Sequence, residues 1–247
     1  MQMDLGMTGR QGEMSGSGQE GLRWTRVGAW CAQAWRIYRV APLRILLLAL
    51  APVVFEGLVQ LTPSAGIVLS KLLTPAVSAW VLVMLDCKLR RHGFSPGASG
   101  WQTASRWRQV AGLTLVGLLV FSVQMAMAAL IGSPAQAMAL AVGDIAGIGF
   151  SRMEMAGVLA SGAAPMLLLF FVGPRMMLDG LRLWPAVLEN ARLLQRCWQP
   201  MVFYSLVMAL MLAGLTWMPL LLLVFLPAGL CIGYAAYRDV FDPLPEA

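Results

Sequence analysis

The sequence predicts an all-α, polytopic membrane protein: six transmembrane helices arranged as three hairpins, with amphipathic helices at the interface. Three observations carry this. Of 247 residues, 59% are hydrophobic and only 12% charged, against roughly 25% charged in an average globular chain, and the mean hydropathy is +0.71. The apolar residues gather into runs close to the roughly 20 residues that a helix needs to cross a bilayer. The 18 Lys and Arg residues fall mostly between those runs, as they do in cytoplasmic loops. The composition excludes a water-soluble enzyme, and orientation accounts for the net charge of +6 without nucleic acid.

Residues 1–21 are rich in Gly, Ser, Gln and Met, lack periodicity, and do not have the charged start, apolar stretch and small-residue cleavage site of a signal peptide. They are expected to form a disordered cytoplasmic tail. Over 22–40, Trp24, Val27, Cys31, Trp35 and Tyr38 recur at three- and four-residue steps, while Arg26, Gln33, Arg36 and Arg39 fall on other faces. This predicts an amphipathic helix lying in the headgroup region with its apolar face down. Six apolar segments follow, at 43–61, 67–85, 110–131, 155–174, 201–217 and 220–237. Pro219 stops what would otherwise be one helix far longer than a bilayer, so the last two segments form a tight hairpin. Residues 132–154 make a short periplasmic excursion, 22–241 constitute one membrane domain, and 242–247 form a short cytoplasmic tail.

Charge fixes the expected orientation. Arg10, Arg23, Arg26, Arg36, Arg39 and Arg44 precede the first span, and Lys88, Arg90, Arg91, Arg106 and Arg108 lie between the second and third. Arg175, Arg182, Arg192 and Arg196 lie between the fourth and fifth, and Arg238 ends the sixth, leaving only Lys71 and Arg152 on the other side. The asymmetry places both termini in the cytoplasm. Cys31, Cys87, Cys197 and Cys231 have no CxxC spacing and are expected to be unpaired.

A weak repeat runs through the chain. Each pair of spans opens on a basic, Trp-containing stretch and closes on a proline followed by an aspartate: Pro75 and Asp86, Pro174 and Asp179, Pro227 and Asp239. Either a hairpin was triplicated, or interfacial Trp and Arg simply recur at each cytoplasmic boundary.

Reactive side chains are few. The lone histidine, His92, lies in a basic turn without carboxylate or cysteine ligands in a metal spacing, no nucleophile elbow or Gly-rich phosphate loop occurs, and no metal or cofactor is expected. Glu56 is the most informative acid, because an ionisable group inside a span is costly. It and Lys71 lie about equally far from the turn at Pro63 and Ser64, so they can pair across the first hairpin. The pair either neutralises itself or, with Gln124 and kinks at Pro75, Pro174 and Pro227, lines a solute path. Gly229 and Gly233 suggest a small-residue face for packing within the bundle.

The fourth-to-fifth connection should hold structure of its own. Arg175, Asp179 and Arg182 have helical spacing, which predicts a helix continuing past the membrane until Pro185 breaks it. Val187, Ala191, Leu194 and Trp198 then form an apolar stripe opposite Glu189, Arg192 and Arg196, a second interfacial helix that anchors at the surface or docks a cytoplasmic protein. Trp35, Arg36, Arg39, Arg192, Arg196, Trp198, Arg238 and Asp239 are therefore the expected cytoplasmic surface contacts, with membrane lipids, anionic headgroups included, as partners.

The run Tyr234-Ala235-Ala236-Tyr237-Arg238-Asp239-Val240-Phe241, with Trp198-Gln199-Pro200 and Pro75, resembles a family of uncharacterised proteobacterial six-span inner-membrane proteins over most of 22–241. The hairpin plan is more distantly similar to the membrane domains attached to some glycerophosphodiester phosphodiesterases, without their catalytic domain. The resemblance implies a fold, a topology and a bacterial inner membrane, and brings no catalytic residue. Glu56-Gly57 departs from the family pattern. The expected function is a non-enzymatic scaffold, assembly or lipid-organising protein. The alternative is a permease for a small apolar or lipid-like solute.

Overall fold

The computed structural model describes residues 25–62, 66–91, 104–196 and 198–241. The expected tails 1–21 and 242–247, Trp24, the turn at Pro63 and Ser64, His92 and Cys197 lie outside them, as do the side chains of Arg91 and Arg196. Among the described residues the chain is all-helical. In order it forms α1 (Thr25–Val40), α2 (Pro42–Gln60), α3 (Gly66–Arg91), α4 (Ala104–Ile131), α5 (Pro134–Val142) and α6 (Ile145–Ile148). There follow α7 (Arg152–Ser161), α8 (Ala163–Leu168), α9 (Val172–Leu178), α10 (Leu183–Arg196), α11 (Trp198–Gly214) and, after a 3-10 turn, α12 (Leu222–Phe241).

Four of these segments, Pro42–Gln60, Gly66–Arg90, Arg106–Ile131 and Pro219–Phe241, are each long and apolar enough to cross a bilayer. Two bent pairs, α7–α8 with α9 at 54° and α10 with α11 at 103°, raise the number to six if each counts as one span. In the most apolar window of α4 only 6% of residues are buried within the protein, so the rest need a non-aqueous surrounding. Leu47, Leu58, Leu115, Leu206 and Val224 face outward in the same way. The chain is a membrane-embedded protein on this ground.

Helix α2 starts on Pro42 at its first position, where the missing N–H costs nothing. Its turn into α3 depends on Gly66, because a Cβ there would lie 2.8 Å from the main chain of Gln60. The helices α3 and α4 meet where Pro75 removes the helical bond to Lys71 O. Thr114 Oγ1 donates to the neighbouring Leu72 O at 3.2 Å, and a Cβ at Gly117 would stand 3.3 Å from the Pro75 ring.

Three expectations about helices need correction. First, α1 buries Val27, Trp30, Ala34 and Ile37 against α12 and its neighbours, while Cys31 and Trp35 face outward. The inward face is rotated from the expected stripe. Second, the fourth segment is not continuous: it breaks at 169–171 and ends at Gly180, whose φ of 75° stops the helix before Arg182. Pro185 does not break a helix but lies in the first turn of α10, where proline is tolerated. Helix α10 turns Ala186 and Asn190 inward, while Ala191 and, at the start of α11, Trp198 are exposed. Third, Gly229 and Gly233, expected to pack within the bundle, have nothing within 4 Å of a Cβ position.

Candidate functional site

The polar side chains of the bundle gather at two ends. Helix α3 runs from Lys71 near one end to Asp86 near the other, about 22 Å of helical rise.

At the Asp86 end, the last two turns of α12 form the hub. Tyr234, Tyr237, Arg238 and Phe241 recur at helical spacing, and the first three are buried. Tyr234 Oη donates to Asp86 Oδ1 at 2.7 Å, which also accepts from Arg90 Nε at 2.7 Å. Tyr237 Oη donates to Asp179 Oδ1 at 2.6 Å, whose second oxygen accepts from Arg175 Nη1 at 2.6 Å. Asp239 Oδ2 accepts from Trp30 Nε1 at 2.9 Å and Arg26 Nη1 at 3.0 Å. The three aspartates of the sequence repeat thus share one arrangement: each carboxylate takes one aromatic donor and one arginine. Through them α12 holds α3, α9 and α1.

Arg175 extends the hub. Besides Asp179 it engages Glu189 of α10, with Nε at 2.9 Å from Oε2 and Nη2 on the same oxygen, and its guanidinium lies 4.4 Å from the centre of the Phe241 ring. Arg106 Nη1 donates to Met177 O at 2.8 Å, covering a carbonyl at the end of α9. Hydrogen bonds to charged groups contribute about 1.5–3 kcal/mol, less where water still reaches the carboxylates as it does here, and their number makes this end the most heavily cross-linked among the described residues. We expect Tyr234→Phe and Tyr237→Phe to lose the same amount, about 1–2 kcal/mol each, because each removes one donor from an equivalent carboxylate. Unfolding midpoints in detergent check this; unequal losses would show that the Asp86 and Asp179 arrangements are not equivalent.

At the other end Lys71 Nζ donates to Glu56 Oε1, as the equal spacing from the turn predicts. Gln60 Nε2 also donates to Glu56 Oε1, at 3.1 Å, and reaches Ser70 Oγ at 3.4 Å. Gln124 belongs to a different set: its amide lies 3.4 Å from Leu159 O of α7 and against Gly162. Pro174 and the buried Pro227 belong to α9 and α12. Gln124 and the Glu56–Lys71 pair therefore sit in separate contacts.

Of the expected surface residues, Trp35, Arg36, Arg39, Arg192 and Trp198 are exposed. Arg238 is not a surface contact, since it is buried; Asp239 is half-buried and is held by Trp30 and Arg26. Trp107 and Trp184 join the exposed set at 66% and 69%, so four tryptophans project from this end. Sequence reasoning missed Trp30 and Asn190. Trp30 follows Val27 by three residues and could have been found from spacing; Asn190, a polar residue on the inward face of α10, gave no apolar signal.

No protein-family model, curated protein or solved structure matches the chain.

Proposed function

We propose that the chain is a six-span protein of a bacterial inner membrane, both termini cytoplasmic, acting as a non-enzymatic scaffold that organises anionic lipid and a protein partner at the inner leaflet. The observation that carries this is the exposed ring at the Asp86 end. Trp35, Trp107, Trp184 and Trp198 project there, beside the exposed Arg36, Arg39, Arg108, Arg182 and Arg192, none of which has an ion pair among the described residues. Tryptophan settles at headgroup level, and each free arginine near an anionic leaflet contributes about 1 kcal/mol. Aspartate hubs beneath hold the presenting helices in place. The six-span reading takes α7–α8 with α9 as one span and α11 as another, with α10 bent 103° away from α11 to lie at the surface, and the resemblance carried by Tyr234 to Phe241 supports the membrane assigned.

Native mass spectrometry of the chain in nanodiscs of its host lipid tests this. Stoichiometric anionic phospholipid or a second protein is expected to remain bound, and Arg36→Gln with Arg39→Gln to lower the retention. A chain that retains only a small apolar solute, with flux lost in Glu56→Gln, would establish the permease instead.

A further inference from the structure

The break between α8 and α9 leaves main-chain groups that lipid cannot satisfy. Val172 N turns to Leu169 O at 3.0 Å, so Leu168 O loses its helical donor. One side chain meets both loose groups: Asn190 Oδ1 accepts from Phe171 N at 3.0 Å, and its Nδ2 donates to Leu168 O. Asn190 is 1% exposed. Pro174 keeps the break from closing, because it has no N–H for Phe170 O and its ring crowds that carbonyl.

Asn190 belongs to α10, and the opposite side of α10 is a different surface. Trp184 and Leu188 are exposed there, and Arg192, with Arg182 just before the helix, is exposed without an ion pair among the described residues. Glu189, the only acid of the helix, is taken by Arg175. Free guanidinium groups beside an indole and a leucine suit a bilayer surface, where the apolar bodies enter the acyl boundary and the cations meet phosphate. An acidic protein groove would also meet the charge, but the membrane-spanning helices on either side bring α10 to the bilayer first.

We propose that the outward face of α10 binds anionic lipid headgroups, and that Asn190 couples this binding to the break in the fourth apolar segment. The inference rests on the surface-anchored reading above. With α10 on the bilayer, Asn190 is seated and the break is clamped. With α10 lifted, Phe171 N loses its acceptor and Pro174 denies Phe170 O a helical donor, so the break opens. Asn190 is a positioning residue in this scheme, and lipid charge shifts the population of the clamped state.

The test is amide hydrogen exchange of the full chain in nanodiscs, phosphatidylcholine alone against a mixture with phosphatidylglycerol. Exchange over 168–173 is expected to slow about tenfold or more in the anionic lipid, the effect of two arginine–headgroup contacts. Arg182→Gln with Arg192→Gln, both at the surface, should abolish that difference. Asn190→Ala should leave exchange at the break fast in both lipids while 183–196 keeps its lipid-dependent protection, which separates loss of the clamp from unfolding. Equal exchange at the break in the two lipids, or a lipid dependence that survives either variant, overturns the proposal. Protection that appears only when an acidic protein is added assigns the face to a protein and overturns it as well. Bound-molecule retention reads the whole chain and exchange reads this break, so the two proposals fail separately.

Discussion

Arg175→Met is expected to loosen α9, α10 and α12 together and to be the most damaging single substitution at the Asp86 end. One guanidinium serves Asp179, Glu189 and the face of Phe241, and its own side chain is 18% exposed. Methionine fills similar volume without charge, leaving two carboxylates facing each other across the gap. Removing one partner of a fully buried pair costs about 3–5 kcal/mol. Asp179 and Glu189 keep 29% and 37% exposure, so water relieves part of this and about 2–3 kcal/mol is the expected loss. Arg175→Lys should recover little, since a single ammonium lacks the fork that spans two acceptors. Unfolding in detergent measures the loss, and limited proteolysis across 179–183 should rise with it. A midpoint equal to wild type would mean that the hub does not bind these helices to one another.

The hub also shows what a sequence can and cannot disclose. The aspartates 86, 179 and 239 stand out because each follows a proline at the end of an apolar run, a local pattern. Their aromatic donors could not be paired with them, since Tyr234 lies 148 residues from Asp86 and Trp30 lies 209 from Asp239. The Arg175–Asp179 contact spans four residues and was legible for that reason. The spacing of Glu56 and Lys71 about a turn was legible too, because a hairpin of two helices fixes equal depth.

The amphipathic faces were harder, for a physical reason. In water an apolar stripe marks the face that packs on protein, but lipid chains are as apolar as a protein interior. Helix α1 therefore has apolar residues on two faces, with Val27, Trp30, Ala34 and Ile37 toward the bundle and Trp35 away from it. Periodicity cannot rank the two. The break in the fourth segment had a readable cause that was placed too late: Pro174 acts on the carbonyl four residues before it, and the helix gives way at 169–171, not at the proline. What Asn190 does there depends on a helix that comes later in the chain.

At the opposite end, Lys71→Met is expected to cost more than Glu56→Gln, and the double substitution less than either. The two groups pair directly, with side-chain exposures of 30% for Lys71 and 23% for Glu56. An orphaned Lys71 has a four-carbon stem that can carry its ammonium toward the headgroups. An orphaned Glu56 is short and lies four residues inside the end of α2, with the Gln60 amide as the one donor left to it among the described residues. The lysine substitution should therefore lose about 2–4 kcal/mol and the glutamate substitution about 1–2 kcal/mol. In the double variant no charge remains, and the amide that replaces the Glu56 carboxylate can still accept from Gln60. Stability should then return to within about 1 kcal/mol of wild type, because replacing both members of an ion pair is often neutral. A double-mutant cycle on unfolding midpoints reads this coupling. Additive losses would show that the charges do not stabilise one another, and an unchanged midpoint with loss of solute flux would move the pair from architecture to transport.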